Sequence, residues 1–131
     1  MDSAALLKKL FSFQDEQTGV SLRARADENT ETDEGLVAPG YFIHDGEPIG
    51  RVIFRIDGDK FEVARVNLGS FAGQGVMSRY ADFIMPTIKA AGIKQIDVVA
   101  YGGAETICKR HGLKGERTLT LKLSAWKPPT N

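Results

Sequence analysis

The sequence predicts an α+β domain, a mixed and mostly antiparallel sheet of about six strands with helices on both faces. Three observations carry this expectation. Strand-like runs at 41–44, 49–56 and 61–68 are separated by Asp45-Gly46 and Asp57-Gly58, dipeptides that favour tight hairpins, so an antiparallel meander spans roughly 41–68. The period then lengthens. Val76, Tyr80, Phe83, Ile84, Ile88 and Ala91 recur at helical spacing and Gly92 supplies a C-terminal stop. A short buried strand at 95–101 follows, so 61–101 forms one β-α-β unit, with a right-handed crossover and two parallel strands.

The remaining elements complete the order. Ala4, Ala5, Leu6, Leu7, Leu10 and Phe11 form the apolar stripe of a short helix, with Asp2 or Ser3 as its N-cap and Lys8 and Lys9 facing water. Val20, Leu22, Ala24 and Ala26 alternate with Ser21, Arg23 and Arg25 as in a half-buried strand. The stretch from Asp27 to Gly35 holds five acids and no large apolar residue until Leu36, so 27–40 is expected to be an acidic, mobile loop. Pro86 predicts a bend in the long helix, because it lacks an N–H and crowds the preceding turn. A short helix at 104–111, a strand at 117–126 and a Lys127-Pro128-Pro129 tail end the chain.

At 131 residues the chain has the size of a single domain, and its 17 basic and 17 acidic residues cancel, which disfavours a dedicated nucleic-acid binder. The lone Cys108 excludes an internal disulfide; with two histidines it offers too few ligands for structural zinc, so no metal is expected. Lys8 and Lys9 interrupt the first apolar stretch, which therefore does not read as a signal peptide, and no window is apolar enough for a membrane span. A cytoplasmic protein without membrane contact is the expectation.

The segment with chemical content is Gly69-Ser70-Phe71-Ala72-Gly73-Gln74-Gly75-Val76, between a strand and the long helix. Glycines let a ligand approach the backbone. The unpaired amides of the first helical turn, aided by the helix dipole, favour phosphate. The Lys-Ser/Thr of a P-loop is missing, and Ser78 stands where a dinucleotide fingerprint has its third glycine.

Taken together, residues 61–113 resemble the GNAT superfamily of acetyl-CoA-dependent N-acetyltransferases. The resemblance rests on the turn Ser70-Phe71-Ala72-Gly73-Gln74-Gly75, on the helix end Ala90-Ala91-Gly92, and on the run from Tyr101 through Ala104, Cys108 and Lys109 to Gly112-Leu113. It implies acetyl-CoA as cosubstrate, lying between two splayed parallel strands. Its pyrophosphate would rest on the backbone of Phe71, Ala72, Gly73, Gln74, Gly75 and Val76, and its pantetheine arm would pair with the strand end from Val66 to Leu68. A backbone amide would polarise the thioester carbonyl while an amine attacks directly in a ternary complex.

The chain departs from the family pattern in four places. Ser70 replaces the usual Gln or Arg, shortening one phosphate contact. Cys108 stands where many members carry the Tyr that protonates the departing thiolate; a thiol, with an ordinary pKa of about 8.5, can also donate, over a shorter reach. Tyr101 occupies the place of an Asn and is a substitute acid. The acceptor region at 27–40 is reduced to the acidic loop. Glu62, His44 and His111 are candidate general bases, with Glu62 in the region where some members carry a catalytic Glu. Arg51, Arg55 and Arg65 form an anion patch if they share a face, and Trp126 or Phe71 could stack on an adenine. Two functions stay open: an acetyl-CoA-dependent N-acyltransferase acting on an unidentified amine, or a catalytically inactive GNAT-like protein, for example phage-encoded, that binds a macromolecular partner.

Overall fold

The computed structural model describes residues 3–99, 108–110, 112–115 and 118–126. In chain order these form α1 (Ser3–Leu10), β1 (Ser21–Ala24), β2 (Thr30–Thr32), β3 (Gly35–His44), β4 (Glu47–Asp57), β5 (Lys60–Asn67), α2 (Val76–Ala90), β6 (Gln95–Val99) and β7 (Thr118–Lys122), and residues 108–110 are helical. One sheet runs β1-β3-β4-β5-β6-β7, with β2 also pairing β3. Every pairing is antiparallel except β5 with β6, as the β-α-β reading requires. The meander is as expected, although β3 begins at Gly35, and α2 runs through Pro86 as one helix.

The sheet has seven strands instead of six, and the extra one corrects the reading of 27–40. That segment is not a bare loop. A 3-10 turn at Ala26–Glu28 leads into β2, which pairs Thr30 with Val37, Glu31 with Leu36 and Thr32 with Gly35. All three β2 side chains are exposed, so backbone pairing rather than burial orders the strand, and apolar periodicity could not announce it. Polar contacts help: the Tyr41 hydroxyl donates to Glu28 Oε2 at 2.6 Å, and Arg55 Nη1 donates to Glu34 Oε2 at 2.7 Å.

Register divides the sheet into two unlike faces. Ala38, Phe54 and Val63 align across β3–β5, as do Phe61, Ile96 and Leu121 across β5–β7, all toward one side. Both α1 and α2 pack there. The Tyr80 ring of α2 lies within 6.3 Å of Phe42 and of Phe54, and its hydroxyl donates to the Leu10 carbonyl of α1 at 3.0 Å. Burial pushes the Tyr80 phenol well above its ordinary pKa. On the opposite side Arg55, Glu62, Asp97 and Thr120 stand in one row across β4–β7. Among the described residues no helix covers this face.

Both lateral edges of the sheet are occupied. Gln14 bridges Ser21 beside β1, with Leu22 N–H donating to Phe13 O at 3.1 Å. Beside β7, Lys114 and Thr120 exchange two backbone hydrogen bonds of 3.0 and 2.9 Å.

Candidate active site

Among the described residues β5 and β6 pair from Lys60↔Gln95 to Val63↔Val98, and β5 stays bonded to β4 as far as Asn67. Beyond Val63, β5 carries an extra residue: Ile53 faces Ala64 and Arg51 faces Asn67, so three steps on β5 match two on β4. Arg65 absorbs this bulge with a φ of 53°, a left-handed conformation uncommon for a residue with a Cβ. The bulge turns Val66 back to the apolar side, where it joins Val63 and Val98 in lining a cavity.

Just beyond β5 comes the glycine turn. It is pinned at both ends by buried side chains, Leu68 at 6% and Val76 at 1% exposure, while Ser70, Ala72, Gly73 and Gln74 are exposed between them. Residues Gly69–Phe71 form a 3-10 turn, and Gly73 and Gly75 take φ values of 82° and 81°. Gly75 is the N-cap of α2, whose first backbone bond is Arg79 N–H to Gly75 O at 3.0 Å. The amides of Val76, Met77 and Ser78 thus point out of the helix end. A Cβ on Gly73 would meet nothing within 4 Å, so the turn leaves open space above its backbone. That arrangement suits a phosphate, and the expected pyrophosphate cradle fits the residues present. The β3–β4 hairpin comes close as well: a Cβ on Gly50 would lie 1.9 Å from Asn67 O, so only glycine lets β4 pass this near the end of β5.

A brace behind the turn was not evident from the sequence. Asp15, 3% exposed, takes Arg79 Nε on Oδ1 at 2.5 Å and Arg79 Nη2 on Oδ2 at 2.9 Å, and also accepts from the Thr18 hydroxyl and, at 3.2 Å, from the Thr18 N–H. The Arg79 bond, helped by Thr18 and opposed by burial, lowers the Asp15 pKa to about 2. Arg79 Nη2 donates onward to the Gln74 carbonyl at 2.9 Å. One guanidinium therefore ties the turn to the segment after α1. The two partners are 64 residues apart, and no local pattern links them.

The predicted residues fall into distinct places. Cys108 is half-buried and lines the same cavity as Val63, Val66 and Val98. Glu62 projects to the opposite, polar face, where it accepts from Arg55 Nη2, and that arginine also reaches Glu34. Glu62 and Asp97 are register partners on β5 and β6, one rung before Val63 and Val98. Ser70 O accepts from the Gln74 side chain at 3.4 Å. His44, which the sequence leaves without a partner, packs on Phe71 of the turn with ring centres 4.6 Å apart and has Asp45 Oδ2 3.5 Å from Nδ1. Arg51 lies over the Tyr41 ring at 5.9 Å, Arg55 is engaged by two carboxylates and Arg65 is the bulge residue. Trp126 is buried with Lys89 over its ring at 5.6 Å, at the far end of α2 from the turn, which leaves Phe71 as the aromatic beside it. Tyr101, His111, most of the 104–111 helix, the 127–131 tail and the Asp2 cap lie outside the described residues.

Among the described residues no group of His, Cys, Asp and Glu is arranged to hold a metal ion, and no helix is long and apolar enough to cross a membrane. No protein-family model and no curated protein matches the sequence. Solved structures do match in shape. GCN5 of Tetrahymena shares 13% identity over 71% of this chain and 72% of its own, with a TM-score of 0.55. A GNAT family acetyltransferase from Elizabethkingia anophelis with acetyl-CoA bound shares 10% over 79% of this chain and 97% of its own, at 0.57. A mutant of the AtaT toxin, bound to the C-terminus of the antitoxin AtaR, shares 15% over 81% and 94%, at 0.56. With one parallel pair joined by α2 in an otherwise antiparallel sheet, and with these neighbours, the chain has a GNAT-like fold.

Proposed function

We propose that the protein is a small N-acyltransferase that passes the acetyl group of acetyl-CoA directly to an amine. The observation that carries this reading is the exposed glycine turn that caps α2 between the parallel strands β5 and β6. When bound, acetyl-CoA supplies a thioester-activated acyl group. The backbone of residues 70–76 would hold the pyrophosphate, with the helix dipole adding to the attraction and Phe71 lying beside it. Val66 and Leu68, on the edge at the end of β5, would align the pantetheine arm. An N–H from that edge would stabilise the charge that gathers on the carbonyl oxygen as the amine nitrogen bonds to carbon.

Three proton transfers complete the chemistry. The carbon–sulfur bond breaks, the departing thiolate would take a proton from Cys108 or Tyr101, and the proton that the nitrogen sheds on becoming an amide would restore that acid. The attacking ammonium must first lose one, and Glu62 would take it on the polar face. Its register partner Asp97 places a second carboxylate there, which suits a cationic acceptor.

Calorimetric titration of the folded protein tests the reading. Saturable one-to-one binding of acetyl-CoA in preference to ATP, followed by CoA release with members of an amine panel, is the expected result. Gly73→Asp, which sets a carboxylate against phosphate, abolishes binding, while Gly73→Asn, of similar size and uncharged, retains most of it. No heat from either acetyl-CoA or CoA would reject the proposal.

A further inference from the structure

The cavity beside the parallel strands is larger than an acetyl group needs. It measures about 70 Å³ and lies between α2 and the β5–β6 pair. A water-sized guest takes ~10–15 Å³ on the same measure, so the space admits about five such guests, whereas one methyl group fills about one. It follows α2 from Met77 past Ala81 to Ile88, about three turns. Its lining is hydrocarbon or thioether apart from the Cys108 thiol and the Tyr80 hydroxyl, and that hydroxyl is already donated to Leu10 O. Such a space holds no partners for water and favours an apolar occupant.

Position selects which occupant. Val63 and Val98 form the last described rung of the β5–β6 pair, the bulge at Arg65 turns Val66 inward beside them, and all three line the cavity together with Cys108. We propose that this cavity is an acyl pocket, so that the protein accepts acyl-CoA donors with chains of about four to six carbons in preference to acetyl. The inference rests on the acyltransferase reading above and deepens it by naming the donor class. Each methylene that leaves water for the pocket contributes roughly a fourfold gain in affinity.

Titration with CoA, acetyl-CoA, butyryl-CoA and hexanoyl-CoA, read by calorimetry, tests the pocket without relying on turnover. Affinity rises about tenfold from acetyl-CoA to butyryl-CoA. Ala81→Leu, which fills the middle of the cavity, removes that gain and leaves CoA affinity unchanged; Ala81→Val carries the same test should the leucine crowd the core. Met85→Ala shifts the preference to hexanoyl-CoA. Because Cys108 is the only cysteine, its alkylation followed by mass spectrometry gives an independent signal: butyryl-CoA protects it more than acetyl-CoA does. Acetyl-CoA binding as tightly as butyryl-CoA, or a gain that survives in both Ala81 variants, would overturn the pocket while the CoA cradle stands. A protein that binds none of the four fails at the cradle, and the pocket falls with it.

Discussion

On one face of the sheet Phe42, Phe54 and Phe61 are sealed beneath α1 and α2, while on the other Arg55, Glu62, Asp97 and Thr120 stand in a polar row that no helix covers among the described residues. The same strands supply both, because alternate side chains point to opposite sides. Each face also has its ion pair. Behind the glycine turn Arg79 meets an Asp15 whose side chain is 2% exposed, whereas Arg55 meets a Glu62 that is 29% exposed. The first pair holds two parts of the chain together; the second shares its arginine with Glu34 in front of solvent. The difference teaches that stability resides on the covered side, leaving the open side free to carry charge.

Four substitutions or conditions probe this division, in falling order of effect. Phe54→Ala costs about 3–5 kcal/mol in denaturant unfolding, the usual range for emptying a buried aromatic site. A loss below 1 kcal/mol would show that the covered face is not the main source of stability. Asp15→Asn follows at about 3 kcal/mol, since it strips a nearly buried pair of one charge, and it also weakens CoA affinity by loosening the hold of Arg79 on Gln74. Unchanged CoA affinity would detach the brace from the turn.

The same carboxylate gives a pH signature. Its pKa falls from an ordinary 3.8 to about 2 on folding, so its contribution is complete above pH 3.8 and fades as acid carries the solution down through pH 2. About 2 kcal/mol of stability is lost across that window, and Asp15→Asn flattens it. A variant with an unaltered acid limb would assign the loss to other carboxylates. Smallest is Arg55→Ala, at less than 1 kcal/mol and diminishing in salt, as for exposed pairs. A cost as large as that of Asp15→Asn would erase the contrast between the faces.

Most of the sheet was legible because its signals are local. Asp45-Gly46 and Asp57-Gly58 mark hairpins within a few residues, and the helical spacing of Val76, Tyr80, Ile84 and Ile88 is set by one element alone. The glycine turn was legible for the same reason. What escaped depends on pairing across distance or on backbone alone. Asp15 reads as one acid among many until Arg79 is folded against it. Thr30–Thr32 buries nothing, so β2 leaves no periodic trace. The bulge at Arg65 arises where β4 and β5 fall out of step, which neither strand records by itself, and it is this offset that aims Val66 at the cavity.

The bridges at Gln14–Ser21 and Lys114–Thr120 have a bearing on how the molecule meets its neighbours. An uncovered border strand is a template onto which another extended chain can add, the step that begins fibril growth and strand-borrowing dimers. Here a short stretch of the protein's own backbone lies along each border at these points, so addition of another chain alongside β1 at Ser21 or β7 at Thr120 is blocked.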